Sequence, residues 1–580
     1  MENKEIARLL AETADLMEVA GEDGFRIRSY RNGAAAILGY PERVQDVICN
    51  PDRKVTDIPG IGKGLAFVLG EICQRGSFER RDEMLAKYPA SALELLKIQG
   101  LGPKSIALLY QHHGVKSVDD LERICREGKL RELPRMGVKL EEKVLRSIEA
   151  YRKSAGRFLL SFGVRIADQL TREFLALPGI EKAEPAGSLR RGRDTIGDLD
   201  IIVTGPGAAA ALDHIVHHAQ TQEVLGQGPN KASVLFGLER LQVDVRALGA
   251  ESFGAAMQYF TGSKEHNVTL RTAAIKQGFS LNEYGLFTAD TNQSVAGERE
   301  ADIYERLGYA WIPPELRENS GEFEAAALVN GVSALPKLVD LGDIRGDLHM
   351  HTTESDGKAS LREMAEAAAA LGYEYIAITD HSKALAMANG LDEKRVVAFA
   401  REVRELNRDG LPLRVFSGLE CDILRAGAMD LSEDALAELD LVIGSVHSYF
   451  NLEPAEMTDR LLHALESPSL KILGHMTGRV LLQRESYAYD FDRVAAEAAR
   501  RHVFIEVNAS PERLDLHGPL IRTAKRKGCQ FAINTDAHRP QHLHNMRYGV
   551  ITARRGWLKS ADVLNTRPLA EFEAALRPIH

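Results

Sequence analysis

The chain has 580 residues, of which 44% are hydrophobic and 27% charged, and a net charge of −10. That length predicts several domains, on the order of four at typical domain size, and the composition is that of an ordinary soluble globular protein with ample core. Both halves are mildly acidic, so bulk charge carries no nucleic-acid signature, and no apolar run approaches the ~18 residues that a membrane span requires. Five scattered cysteines (Cys49, Cys73, Cys125, Cys421, Cys529) include no CxxC pair. A reducing cytoplasm is expected, with neither a disulfide framework nor a cysteine zinc knuckle. The opening MENKEIARLLAE reads as an amphipathic helix and not a secretion signal. Histidine divides the chain, because 12 of the 18 lie after residue 340.

Residues 1–150 alternate short amphipathic helices with glycine turns. In EIARLLAETADLMEVA and LAFVLGEI the apolar residues recur three and four apart, the helical period. TDIPGIGKGLA (56–66) and KIQGLGPKSIA (97–107) share one form, Gly-apolar-Gly leading into a helix, about forty residues apart. Gly60 with Gly62, and Gly100 with Gly102, make tight turns. The helix that follows each turn points free backbone N–H groups outward, which binds a phosphate without many positive side chains. One copy alone is equally an ordinary helix connection; two in register point to DNA. A third copy, LPRMGVKLEEK (133–143), is degenerate. The pair resembles the helix-hairpin-helix motifs of DNA repair proteins, which contact phosphates without reading sequence.

Residues 151–255 mix helices with strands such as DLDIIV and RLQVDV, and 256–320 are mixed again. In GSLRRGRDTIGDLDIIV (187–203), Asp198 and Asp200 alternate along a strand and so share a face. Asp244, in RLQVDVRAL, offers a third carboxylate from a neighbouring strand. Three carboxylates on one face can hold two divalent cations that activate a hydroxyl and stabilise a leaving pyrophosphate. Upstream, Gly187, Ser188, Arg190 and Arg191 could cradle a triphosphate.

Gly-Ser, Arg-Arg and Gly-Asp-x-Asp in this order resemble the nucleotidyltransferase superfamily, and specifically family X DNA polymerases. YFTGSKEHN (259–267) strengthens that resemblance. It implies that Asp198, Asp200 and Asp244 are catalytic ligands for Mg²⁺ or Mn²⁺. It also implies that Ser188, Arg191 and Gly197 contact the triphosphate, that Tyr259, Phe260, Gly262 and Asn267 contact the nucleotide's sugar and base, and that Arg271 contacts the template. The implied plan is an N-terminal helical domain (1–88), a fingers-like helical domain (89–150), an α+β nucleotidyltransferase palm (151–255) and a thumb-like domain (256–320). The family's lyase members carry a Schiff-base lysine six residues after the second glycine of the first hairpin; here that residue is Val68, preceded by Phe67. Asp194 stands where many members have Glu, and Gln242 where animal members commonly have Arg.

Residues 321–341 read as a linker of weak helical character. From 342 to 580, short apolar runs alternate with amphipathic helices, the pattern of a parallel sheet or barrel. The runs are GDLHMH, YIAITDH, LRVFSGLE, LVIGSVH, LKILGH, VFIEVN and QFAINTDAH. Six end in or beside His, Asp or Glu, and one ends in Asn508. Active sites of parallel βα folds form at the carboxyl ends of strands, so His349, His351, Asp356, His381, Glu420, His447, His475, Asp536 and His538 are expected in one mouth.

That order resembles the PHP (polymerase and histidinol phosphatase) domain, a distorted (β/α)7 barrel with three metals. The resemblance implies one metal on His349, His351, Glu420 and Asp536, and a second on His447, His475 and the bridging Glu420. A third would lie on Asp356, His381 and His538. Imidazole mixed with carboxylate suits zinc, manganese or iron, and the implied chemistry is phosphoester hydrolysis. Lys383 and Arg479 are phosphate-contact candidates, with a solvated surface role as the alternative for each. Asn508 is expected to contact a ligand or the substrate.

The expected protein is therefore a cytoplasmic, monomeric gap-filling polymerase acting on primer-template DNA and deoxynucleoside triphosphates in base excision repair, nucleoid-associated when bound to DNA. Its PHP domain would process 3′ ends. The alternatives are a DNA-docked phosphoesterase with little polymerase activity, a polymerase with a merely structural PHP domain, and a small-molecule phosphatase.

Overall fold

A computed structural model describes residues 1, 3–40, 43–50, 53–88, 91–96, 98, 100–134, 136–154 and 156–576. The expected domain border at 88/89 and Arg135 of the degenerate third hairpin touch residues outside that set. The chain divides into two compact units, Met1–Ala155 and Gly156–His580.

The first unit is helical. Its opening helix, Asn3–Val19, contributes Ile6, Leu9 and Leu10 to one core and Ala14, Leu16 and Met17 to another. The two expected helical domains are therefore tied together by one amphipathic helix. Each hairpin glycine pair divides its labour in the same way. Gly60 and Gly100 adopt left-handed backbone (φ +88 and +98), which favours glycine. Gly62 and Gly102 precede the helices Lys63–Arg75 and Pro103–His113 without a side-chain cap on either, which leaves first-turn N–H groups for an outside acceptor. Val68 packs against the first core, while Phe67 is exposed.

The second unit holds three layers of structure around distinct sheets. The first is a five-stranded sheet in the order Lys182–Pro185, Asp198–Thr204, Leu241–Leu248, Lys231–Phe236, Thr221–Gln227. Only the Asp198–Thr204 and Leu241–Leu248 pair is parallel. The helices Phe253–Thr261 and Lys264–Lys276 follow, with a small antiparallel three-stranded sheet.

The expected linker is not a spacer. Its helix Glu322–Ala326 buries Phe323 and Ala326 in the core beneath that small sheet, and buried Glu322 accepts from His266 Nδ1 at 2.9 Å. The weak helical pattern was legible, but the partner that buries it is remote in sequence.

The third layer is a seven-stranded parallel sheet whose strands run in sequence order from Gly346–Asp347 to Phe531–Asn534. Its central strands are buried along their length, as a parallel sheet covered on both faces requires. The barrel is brought almost to closure by a parallel bridge between Met350 and Ala537, where His351 N donates to Ala537 O at 2.8 Å. Leu514 and Tyr548 of this C-terminal region are buried in the core of the five-stranded sheet, so the barrel side helps to close that core. Among the described residues no helix is long and apolar enough to cross a membrane.

Candidate active sites

Asp198 and Asp200 share a face of their strand, and the register of its parallel neighbour sets Asp244 opposite Asp200. The three carboxylates therefore lie on one side of the sheet. Asp198 is exposed, Asp200 half-buried and Asp244 buried. Burial, followed by repulsion from Asp198 and Asp244, pushes the Asp200 carboxyl up to about 7. Burial also opposes charge on Asp244. There Lys231 Nζ at 2.6 Å, with Ser233 and Gln242, outweighs it and holds the carboxyl below its usual range. Gln242 Nε2 donates to Asp244 Oδ1 at 3.2 Å, and Arg246 lies 3.6 Å from Oδ2. Lys231 and Arg246 were not singled out in sequence, because their relation to Asp244 is a matter of cross-strand pairing. An all-oxygen donor set in which mutual repulsion raises one member fits a hard divalent cation.

The turn that carries the expected triphosphate contacts lies against Asp200, and the expected sugar and base contacts are tied to that turn and to one another. Gly187 is left-handed (φ +63), and a Cβ there would lie 2.8 Å from Asp200 Oδ2. The absent side chain lets the Gly187–Ser188 backbone approach the carboxylate. Gly197 sits immediately before Asp198, beside Arg157. Gly262 is also left-handed, with its Cβ position 3.2 Å from Arg191 Nη1. Arg191 donates through Nη1 to the Thr261 carbonyl and through Nε to Glu318 at 3.1 Å. Asn267 donates to Tyr259 O at 2.7 Å, and Gln258 donates to Asn267 Oδ1 at 2.8 Å. Arg271 stands over the Tyr259 ring at 5.9 Å, and Arg246 over Phe260 at 4.1 Å. Arg190 and Arg317 grip buried Glu300, with Arg190 Nη1 at 2.9 Å and Arg317 Nη1 at 2.5 Å from Oε1. That triad joins the Gly187–Arg190 turn to the helix Glu300–Arg306 and to the segment that ends at Arg317.

In the barrel, Glu420 is the hub. Its Oε1 lies 2.8 Å from His475 Nε2 and 3.2 Å from His447 Nε2. Its Oε2 lies 2.9 Å from His381 Nδ1 and 3.4 Å from His349 Nε2. Asp536 Oδ1 is 3.2 Å from His351 Nε2, and Asp356 Oδ1 is 3.5 Å from His538 Nε2. All nine expected groups thus converge.

Their tightest groupings differ in part from the expected sets. They are His349, His351 and Asp536; His381, Glu420 and His447; and His351, Asp356, His381 and His538. An imidazole has two nitrogens, and this explains the difference. His351 turns Nε2 to Asp536 and Nδ1 to Asp356, while His381 turns Nδ1 to Glu420 and Nε2 to Asp356. Each ring stands between two groups.

The donor set fits divalent metal. Buried His351 Nδ1 has no hydrogen-bond partner among the described residues, and His349 Nε2 and His381 Nδ1 face Glu420 without hydrogen-bond geometry, a costly state unless an electron-pair acceptor takes those nitrogens. Burial, then His538 and His381, lowers the His351 ring to about 3, so it stays neutral. Burial opposes charge on His447 and His538, but Glu420 with Asp422, and Asp356 with Asp536, raise each to about 9.

Behind the imidazoles stand carboxylates that the sequence reading missed. Glu506 accepts from His349 Nδ1 at 2.7 Å, from Asn534 at 2.9 Å and from the His475 backbone at 2.7 Å. Asp422 pairs with His447 Nδ1 at 2.9 Å. Such partners fix the tautomer and aim the other nitrogen inward. The signal was available: Asp422 lies two residues after Glu420, and Glu506 two before Asn508, which is the strand period.

Asn508 donates to Glu506 at 3.1 Å and to Asp536 at 3.2 Å, linking the two carboxylates. Lys383 is exposed and paired with Glu393 at 2.5 Å. Arg479 is placed otherwise than as a free phosphate contact. It is nearly buried, donates through Nε to Arg513 O at 2.9 Å, and spends Nη1 on Asp194 at 2.9 Å. Arg513, not singled out in sequence, is the guanidinium at the cluster, 3.7 Å from Asp536 Oδ2.

A further trio, Glu173, His214 and His218, closes without a cation. The Gln220 N–H donates to His218 Nδ1 at 3.1 Å, which puts that ring's proton on Nε2, facing Glu173 at 3.1 Å.

Four family models match the chain: a helix-hairpin-helix domain (1–78), a SAM-like helix-hairpin-helix tandem (92–150), the DNA polymerase beta thumb (256–318) and the PHP domain (347–510). The "DNA polymerase/3'-5' exonuclease PolX" of Bacillus subtilis is 37% identical over 578 residues, covering 100% of both chains. The DNA polymerase lambda of Arabidopsis thaliana is 23% identical over 54% of this chain and 62% of its own. The Rattus norvegicus polymerase lambda is 26% identical over 54% and 56%. This chain thus spans somewhat more than half of those two relatives and the whole of the first.

Proposed function

This chain belongs to the bacterial family X DNA polymerases that carry a C-terminal PHP domain, and from that premise we propose how its two clusters divide the work. It is a DNA polymerase with a PHP-associated 3′–5′ exonuclease, and both activities depend on divalent metal. We assign nucleotide addition to Asp198, Asp200 and Asp244, and phosphodiester hydrolysis to Glu420 and the eight groups around it. The observation that carries this reading is the pair of distinct donor sets, an all-carboxylate one on the palm sheet and an imidazole-rich one in the barrel mouth.

When bound, the cations supply an oxygen nucleophile of lowered pKa and neutralise phosphoryl charge. In the palm, Asp200 must give up its raised proton before it can ligate, while Asp244 is held ionised by Lys231. Arg191, Ser188 and Gly197 orient the triphosphate. The left-handed turn at Gly262 sets Tyr259, Phe260 and Asn267 against sugar and base, and Arg271 meets the template strand. Gly60, Gly62, Gly100 and Gly102 hold DNA phosphates on backbone N–H groups. In the barrel, Glu506 and Asp422 keep His349 and His447 aimed, and Arg513 takes the phosphate contact expected of Arg479.

The oxygen-only palm suits Mg²⁺ or Mn²⁺, and the mixed barrel suits Zn²⁺ or Mn²⁺. The substrates are gapped or primer-template DNA and deoxynucleoside triphosphates, met in the cytoplasm by a monomeric enzyme working in base excision repair. Val68 offers no amine, so a sugar-phosphate lyase at that place is not part of the proposal.

The test is a gapped duplex with labelled primer, with and without nucleotides. Asp198→Asn should lose extension and keep shortening. His349→Ala with His351→Ala should lose shortening and keep extension. Undiminished extension by Asp198→Asn, or equal shortening by the double variant and wild type, would reject the corresponding assignment.

A further inference from the structure

The palm turn that carries Ser188 and Arg191 rests on the PHP-domain helix Met546–Arg555. Gly192 is left-handed (φ +64), and a Cβ there would meet Ile551 Cγ2 at 2.1 Å, so turn and helix touch with no room for a side chain. Arg555 Nη1 donates to the Arg191 carbonyl at 2.7 Å. Asp194, three residues on, pairs with Arg479 of the barrel.

Glu318, just after the buried Arg317, is shared by three guanidinium groups. Its Oε1 lies 3.1 Å from Arg191 Nε and 3.2 Å from Arg555 Nη1, and its Oε2 lies 3.6 Å from Arg193 Nη1. Arg191 can grip a phosphate bidentately only through adjacent donors of its planar fork. With Nε on Glu318 and Nη1 on the Thr261 carbonyl, the side edge of the fork, Nε with its neighbouring Nη2, is already engaged at Nε. A triphosphate gripped bidentately through that edge must draw Nε away from Glu318.

We infer that Glu318 competes with the incoming triphosphate for Arg191, and that Arg555 of the PHP domain sets the strength of that competition by drawing the carboxylate toward itself. Arg555 is thus a positioning residue for nucleotide addition. The inference rests on the proposed role of Arg191 as a triphosphate contact. Glu318 is partly exposed and Arg555 nearly buried, so a change at Glu318 disturbs packing little, whereas a change at Arg555 reaches the domain contact itself.

The experiment measures KM and kcat for the complementary deoxynucleoside triphosphate on a one-nucleotide gap, using the full chain. Removing the competing charge in Glu318→Gln should lower KM about fivefold, the scale of one partly screened ion pair. Arg555→Ala should raise KM by a similar factor, because Glu318 then pairs more fully with Arg191, and Arg555→Lys should fall between. Both should leave kcat and metal-dependent primer shortening unchanged. In Glu318→Gln combined with Arg555→Ala the Arg555 effect should vanish, since no carboxylate remains to divert.

A merely structural contact would instead impair both single variants in one direction. If both raise KM, or neither moves it, the inference is overturned. Arg191→Ala separates the two levels. An unchanged KM there defeats the triphosphate role itself, whereas a raised KM with inert Glu318→Gln defeats the competition alone. Should Arg555→Ala fail to fold, as read by melting and by shortening activity, the near-isosteric Glu318→Gln still decides by the direction of its KM change.

Discussion

The two donor clusters are built on opposite plans. The palm cluster offers three carboxylates at the surface of a mixed sheet, one exposed and one countered by Lys231. The barrel cluster offers nine groups, several fully buried, with carboxylates and amides behind the imidazoles. A divalent cation takes about six ligands when all are oxygen. Under the proposed assignment, a cation on the three carboxylates would need most of its ligands from water and the incoming nucleotide, whereas the barrel would supply most of its own. The difference teaches that the barrel presents a far larger share of a cation's ligands from the protein itself than the three carboxylates do.

Stripping metal should expose this contrast most sharply. After exhaustive EDTA treatment and return of Mg²⁺ alone, extension should recover fully and primer shortening should stay absent until Zn²⁺ or Mn²⁺ is added. Shortening that recovers with Mg²⁺ alone would erase the distinction. Next in size is Glu506→Gln, which loosens His349 and the backbone of His475 together. Its expected cost is about 10–100-fold in metal affinity or shortening activity, with extension unaltered. A metal titration of shortening, set beside extension of the same gapped duplex, measures both.

The palm's dependence on a raised carboxyl gives a pH test. Below about 7, Asp200 holds a proton that a cation must displace. The Mg²⁺ concentration for half-maximal extension should therefore rise by up to about tenfold per pH unit as pH falls through that range. A flat Mg²⁺ requirement between pH 8 and 6 would show that Asp200 is not the group that yields. The smallest effect on either activity is expected at Glu300. Burial opposes its charge, but Arg317 and Arg190 outweigh burial and hold its carboxyl well below the ordinary 4.5. A depressed folded pKa stabilises above the unfolded value and is lost as pH falls toward the folded one. Glu300→Gln should thus melt lower than wild type at neutral pH, by a few degrees or more, and the gap should narrow below about pH 4.5.

Much of the molecule could be read from residues adjacent in sequence. Asp198 and Asp200 share a face because strand side chains alternate. The seven apolar runs after residue 342 appear as seven parallel strands in the same order, and at or beyond their ends lie Glu420 and the eight groups around it. Gly60 and Gly100 likewise announce turns whose left-handed backbone favours glycine. These are local regularities, set by the periods of two and 3.6.

What the tertiary structure alone decided lies between elements distant in the chain. The register that puts Asp244 opposite Asp200 and Lys231 against it depends on how three strands align. Which nitrogen of His351 or His381 faces which carboxylate depends on ring orientation, which sequence does not encode locally. Arg479 looked like a phosphate ligand because it follows His475 closely, yet packing of the barrel on the palm turns it to Asp194. The segment 321–341 read as a linker of weak helical character, yet Phe323, Ala326 and Leu338 are buried in the core beneath the small sheet, which is built from residues remote in sequence. In each case a side chain's role is set by what packs against it, and burial brings together residues that the chain itself keeps apart.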